Sequence, residues 1–269
     1  MRGNRNKEFL LLSTLLIIVL FISESIAQSV IPKLVTDRPD QTESASIVPI
    51  DFLQIEMGFS YQQQKFTDGL IKVENNNLVL GGTLLRYGVS PRIEFCLGGE
   101  YFSGQNFLDD KKSTIQGMQN IMIGAKYQVR YNENILTNAA ILVQCIIPAG
   151  NEKLRPNKFT PEIRFILEQE INDRISLGVN LGTEEIRDVG KYFYSYTASV
   201  EVELNERINS FFEIYGTMKE GFFPNNNYDC GISYMHTKNI QIDLSVGTTL
   251  NSDISDWSGG IGISVRIPR

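Results

Sequence analysis

Read at every second position, residues Phe52 to Gln62 separate into two faces. Leu53, Ile55, Met57, Phe59 and Tyr61 share one, and Gln54, Glu56, Gly58, Ser60 and Gln62 share the other. Successive side chains of a pleated strand point to opposite sides, so this period of two predicts an extended strand with one greasy and one wet face. The pattern recurs along the chain. Strands are predicted over Asn77 to Val89, Ile93 to Tyr101, Ile115 to Arg130 and Ile135 to Ile147. Others follow over Ile163 to Ile171, Ile175 to Gly182, Tyr192 to Leu204, Phe211 to Tyr215, Asn227 to Met235, Ile240 to Val246 and Gly260 to Ile267. Most of these twelve segments are close to the ~9–11 residues that a tilted strand needs to cross a bilayer.

Their connections predict the architecture. Tight turns are expected after the even-numbered strands, at Ser90-Pro91-Arg92, Tyr131 to Asn134, Asn172-Asp173-Arg174, Asn205-Glu206-Arg207 and His236 to Asn239. The connections after odd-numbered strands read as mostly longer and polar, among them Gln63 to Asn76 and Gly104 to Ser113. Alternation alone fits a soluble β-sandwich as well as a membrane barrel. An even strand number, short turns on one rim, longer loops on the other and aromatics near strand ends favour the barrel. The expected fold class is therefore all-β: a transmembrane antiparallel up-and-down β-barrel of about twelve strands. Closure also pairs every backbone donor and acceptor, which hydrocarbon demands.

The N-terminus agrees with export. Arg2, Arg5 and Lys7 precede a predominantly apolar run from Phe9 to Ile22, then Ser25-Ile26-Ala27, which is the pattern of a secretory signal peptide cut after Ala27. The run falls short of the ~20 residues of a membrane-spanning helix. The expected organisation is thus a signal peptide over residues 1–27, an N-terminal periplasmic segment over 28–50, and an outer-membrane barrel over 51–269. Between Gln28 and Pro49 the chain is polar and turn-rich, with no apolar period. The net charge of −6 becomes more negative once the leader is removed, which argues against nucleic acid as a partner. Cys96, Cys145 and Cys230 are few, scattered and free of any CxxC spacing, so no disulfide framework is expected, although a pair among them stays open.

In a barrel the polar faces turn inward and line the lumen. The lumen or transport candidates are Glu56, Arg86, Arg92, Glu94, Lys126, Arg130, Glu162, Arg164, Glu201, Glu213, Asp243 and Arg266. Two readings stand for them: a salt-bridged packing that stiffens a narrow bore, or a polar path for small solutes. Asp37, Arg38 and Asp40 are plug candidates at the periplasmic mouth, the alternative being a solvated leader. The sole histidine, His236, falls in a predicted periplasmic turn. Proton-transfer chemistry at the outer rim would need it elsewhere, so no enzyme activity is expected. No His/Cys cluster has metal-ligand spacing, and Gly81-Gly82 and Gly259-Gly260 fall in strands, not in phosphate-binding turns. No metal and no cofactor are expected.

The run Thr36-Asp37-Arg38-Pro39-Asp40-Gln41-Thr42-Glu43-Ser44, with Val48-Pro49 and Gln54-Ile55-Glu56-Met57-Gly58, resembles the start of the outer-membrane transporter family named "putative MetA-pathway of phenol degradation", of the kind found in Bacteroidetes. Leu84-Leu85-Arg86-Tyr87-Gly88 and Gly124-Ala125-Lys126-Tyr127 are similar to the family's strands, so the likeness covers nearly the whole chain after the leader. It implies a transporter barrel whose partners are outer-membrane lipid, the outer-membrane assembly machinery and a small-molecule solute that the family does not define. The chain departs from the usual aromatic last residue of such barrels by ending Ile267-Pro268-Arg269. The expected function is passive passage of small solutes, aromatic or hydrophobic ones among them. The competing expectation is a structural or interaction barrel that carries nothing.

Overall fold

Consecutive strands with opposite faces of opposite polarity can hide neither face alone, and closing the sheet on itself resolves both. The computed structural model describes residues 32–69, 71–109, 111–130, 137–185, 192–219, 225–250 and 254–268, with only the backbone for Asp68, Arg130 and Lys219. The signal-peptide reading lies outside them. Twelve strands run in chain order: β1 (Phe52–Asp68), β2 (Ile71–Ser90), β3 (Ile93–Leu108), β4 (Lys111–Arg130), β5 (Thr137–Ile146), β6 (Thr160–Asn172), β7 (Ile175–Glu185), β8 (Tyr192–Asn205), β9 (Ile208–Lys219), β10 (Asn225–Thr237), β11 (Ile240–Thr249) and β12 (Ile254–Pro268). Each pairs antiparallel with its chain neighbours, and β1 pairs with β12 to close the barrel. At that seam Glu56 faces Ser264 and Gly58 faces Gly262.

The burial pattern gives the barrel its orientation. Phe95, Leu97, Val143, Phe165, Leu181, Phe212, Leu244, Val246 and Ile261 are all exposed, while Glu94, Glu162, Glu213 and Asp243 on the opposite face of the same strands are buried. An apolar belt around the whole circumference exceeds anything a water-soluble monomer exposes. Surrounded by hydrocarbon it costs nothing, and the barrel is of the outer-membrane kind. Tyr61 and Trp257 pack against each other at 5.3 Å between ring centres on the outer surface, as aromatics do where lipid meets water. The two-residue turns at 91–92, 173–174, 206–207 and 238–239 share a rim with Pro32 and Pro268, and that rim is periplasmic in barrels of this class.

Several expectations change. Most of the residues expected in loops at 63–76 and 104–113 are strand: β1 runs to Asp68 and β2 starts at Ile71, and β3 runs to Leu108 and β4 starts at Lys111. Polar residues on both faces erase the alternation there, yet a strand that has left the membrane needs no apolar face. The first four strands, 16–20 residues each, therefore stand beyond the shorter β5 and β11, which have 10. The expected tight turn after β4 falls at 131–136, outside the described residues. His236 is not in a turn but near the end of β10, exposed, its ring 6.4 Å from Tyr234. All three cysteines are free.

Candidate functional site

Each lumen candidate follows from parity. Glu56 on β1, Arg86 on β2, Glu94 on β3 and Lys126 on β4 sit on the inner face of four adjacent strands and are wholly shielded. Arg86 donates through Nε and Nη2 to the two Glu94 oxygens at 2.8 and 3.1 Å and through Nη1 to Glu56 at 3.0 Å. A forked guanidinium is the group that can satisfy two carboxylates at once. Glu162 and Arg164 on β6 form another inward ion pair at 2.5 Å.

What completes these groups is the stretch before β1. Residues 32–50 pack along the inner faces of the strands. Arg266, buried near the end of β12, holds the entry by donating to the Pro32 carbonyl at 2.7 Å and to Asn239 Oδ1 at 3.0 Å in the β10–β11 turn. Asp37 then lies between two cations, 3.1 Å from Arg86 and 2.8 Å from Lys126. Its amide donates to Glu56 at 3.0 Å. Arg38 reaches the other side and pairs with Asp243 on β11 at 3.1 Å. Glu43 pairs with Lys126 at 3.3 Å and Arg164 at 3.0 Å. The Asn180 amide, oriented to match donors with acceptors, takes the Glu43 N–H at 2.6 Å. Ser44 donates to Glu168 at 2.9 Å, Gln128 donates to the Ala45 carbonyl at 3.0 Å, and the Val48 amide donates to Glu94 at 2.7 Å. Ala45 completes an inward apolar cluster with Ala140, Leu142 and Ile166.

The wall is shaped for this segment. A Cβ on either partner of the Gly58–Gly262 pair would collide with the Arg38 guanidinium, so two glycines facing each other across the seam make its slot. At Gly178 a Cβ would come within 2.7 Å of Thr42 Cγ2.

The remaining side of the bore is different. Glu213 on β9 accepts from the Gln41 amide at 2.7 Å and from the Thr42 hydroxyl, and it is hydrogen-bonded to Asp229, its register partner on β10. Between the segment and β6 to β11 lies a cavity of about 310 Å³, lined by Asp40, Glu168, Glu170, Glu201, Glu203 and Phe211 among others. Burial, with Glu213 and Glu201 beside it, pushes the Asp40 carboxyl well above the usual carboxylate range. Burial works against the Asp37 charge too, but Arg86 and Lys126 outweigh it and hold that carboxyl below its usual range.

Ten of the twelve lumen candidates therefore face the bore or its mouth, with Glu201 in the cavity. Arg92 does not. It occupies the two-residue turn between β2 and β3 and is exposed, because the parity of β3 starts only at Ile93. For Arg130 the side chain lies outside what is described. Asp37, Arg38 and Asp40 all meet inner-face groups. Sequence reasoning missed Glu43, Thr42 and Ser44, although they stand in the same TDRPDQTES run, and missed Asp229, because the parity of β10 is not legible through its mixed sequence. Among the described residues no group of three or more His, Cys, Asp or Glu is arranged to hold a metal.

The family model described as "Putative MetA-pathway of phenol degradation" matches residues 36–267. No curated protein matches the chain. Among solved structures, an outer-membrane channel from Pseudomonas putida F1 aligns over 87% of this chain and 100% of its own, with TM-score 0.63 and 11% identity. The transport unit of the autotransporter AIDA-I from Escherichia coli aligns over 93% and 96%, with TM-score 0.53 and 13% identity. The NanC porin aligns over 78% and 98%, with TM-score 0.51 and 9% identity. At such identities these likenesses establish a shared barrel fold.

Proposed function

The chain belongs to the phenol-degradation MetA-pathway family, and from that membership we propose that it is a passive outer-membrane channel for small solutes, with residues 32–50 acting as a plug on its periplasmic side. The family description supports aromatic compounds among the solutes. The observation that carries the reading is the seating of the plug: Asp37 between Arg86 and Lys126, and Arg38 in the Gly58–Gly262 slot. A solvated leader would have no such sockets. The gap beside it opens at the periplasmic rim, and on this reading solutes pass there.

The mechanism needs no covalent step. Solute enters down its gradient, meets a polar inner face, and passes where the plug does not fill the bore. The ion pairs keep their carboxylates and cations satisfied while it does so. A structural barrel without transport is the second reading, favoured by the tight packing on the β2 to β6 side. Planar-bilayer recordings separate the two. Removing Val35 to Ser46 is expected to raise the conductance of the purified protein; silence of both the full chain and the shortened one sinks the channel, and equal conductance of both sinks the plug.

A further inference from the structure

The plug touches both walls of the bore but leaves a gap along one of them. Its contacts with Arg86, Lys126 and Arg164 gather on β2, β4 and β6, whereas the cavity runs along β6 to β11. Resting on the channel reading above, we propose that this gap is the conduction route and that it passes cations in preference to anions, with Glu201, Glu213 and Asp229 setting the preference.

The gap is lined by carboxylates of the wall, Glu168, Glu170, Asp173, Glu201 and Glu203, with the carboxyl group of Asp40 on the plug side. Of the basic groups there, Lys33 is already paired with Glu203 and Arg38 with Asp243, and Arg174 stands exposed at the rim, so the acids outnumber the cations. The inner end is narrowed by Phe211, whose ring lies over Gly231, with its Cζ 3.1 Å from where a Cβ would stand. On the same inner faces of β9 and β10, just past this ring, come Glu213 and Asp229.

Asp229 is only 6% exposed, and its Oδ1 accepts no hydrogen bond. A shielded carboxylate oxygen left unsatisfied is costly in a folded chain. Its place beyond Phe211, at the inner end of the proposed route, lets a hydrated cation supply the missing partner, while an anion meets the acids of the gap first. Across the bore the carboxylates Glu56 and Glu94 are ion-paired with Arg86, and Glu94 also lies 3.8 Å from Lys126, so both are tied up in the wall. The described residues hold no metal-binding arrangement, so cations are expected to pass and not to lodge.

The test is the reversal potential of the full chain in planar bilayers under a potassium chloride gradient. It should lie on the potassium side of zero. Asp229→Asn with Glu213→Gln, which together remove the one charge that this proton-sharing pair holds, should lower the cation-to-anion permeability ratio by about fivefold, the factor one charge at ~4 Å supplies in water. Glu201→Gln, at the open mouth, should shift it the same way without threatening the fold, and heat-modifiable migration verifies that all variants are closed barrels. Glu74→Gln, in the strand extension beyond the bore, should leave the ratio unchanged.

A conducting barrel with no cation preference, or one indifferent to all three substitutions, overturns the inference and leaves the channel standing. So does a full chain that is silent yet conducts once Val35 to Ser46 are removed, because the gap is then not a route. Silence in both forms overturns the channel reading itself and this inference with it.

Discussion

The wall built by β2 to β6 and the wall built by β8 to β11 face each other across one bore and obey different electrostatics. On the first, Arg86, Lys126 and Arg164 each meet two or more carboxylates, and every group is held by several partners. On the second, Glu201, Glu213, Asp229 and Asp243 have Arg38 as their one close guanidinium partner among the described ion pairs, and two carboxylate oxygens are left without any hydrogen bond. A wall on which each of these carboxylates touches a cation can hold a segment still. An under-compensated one is poor at holding and well suited to attracting a mobile counter-charge. The plug follows this division, since its acids Asp37 and Glu43 meet the cations of the first wall and the free space lies along the second.

The strongest way to break the contrast is to remove the cation at its centre. Arg86→Ala strands Glu56, Glu94 and Asp37 in a shielded site, where loss of one partner of a buried pair costs about 3–5 kcal/mol. The expected result is a fall in the urea midpoint of the folded barrel in lipid vesicles, larger than for any substitution on β8 to β11. A midpoint equal to that of Asp243→Asn would erase the distinction between the walls. A gentler intervention leaves all charges in place. Gly58→Leu puts a side chain where the Arg38 guanidinium sits, at an overpacking cost of about 1–3 kcal/mol. The plug should lift from the seam while Asp37 stays anchored, so conductance should rise with the barrel intact. Unchanged conductance would show that Arg38 is not a latch.

How much of this was legible depends on which face a residue occupies. Within the membrane the period of two placed Glu56, Arg86, Glu94 and Lys126 inward, and it needed no tertiary information because lipid forces one face to be apolar. Beyond the membrane that constraint ends. Gln64, Asn75 and Asn106 are polar neighbours linked by hydrogen bonds across the strand extensions, and a sequence of amides reads as a loop. Arg92 was misplaced because parity was carried one residue too far into a turn. The plug was visible as a polar run without period, but the partner of each residue in it was not. Asp37 and Lys126 are 89 residues apart, and Arg38 and Asp243 are 205 apart; only closure of the barrel brings them together.

A smaller effect should follow from pH, on the wall where charge is under-compensated. Asp40 has a raised pKa in the docked plug, so it binds its proton more tightly there than in a released segment, whose value is near the ordinary 3.8. Its contribution to docking is complete below that ordinary value and is lost as pH rises through the raised one. Conductance should therefore increase with pH, and Asp40→Asn should flatten the response. Asp37 has the opposite sign: its contribution is present above 3.8 and lost below, as pH falls through its lowered value. The two windows lie on different sides of 3.8, so a bilayer titration from pH 4 upward reads Asp40 with Asp37 constant. A conductance that falls as pH rises would contradict the assignment.

The smallest effect belongs to the entrance of the plug. Lys33 and Glu203 form an ion pair at 2.5 Å, but their side chains are 51% and 33% exposed. Water and salt screen such a pair, and its worth is at most about 1 kcal/mol. Lys33→Ala should leave the unfolding midpoint within error of the parent protein. Arg266 still holds the Pro32 carbonyl, so the position of the segment should not change either. Removing Lys33 does, however, take one cation from the mouth of the acid-lined gap. Cation preference should then rise slightly at low salt and converge with that of the parent protein as salt increases. A large loss of stability would mean that the second wall grips the plug as firmly as the first, and the two sides of the bore would no longer have separate duties.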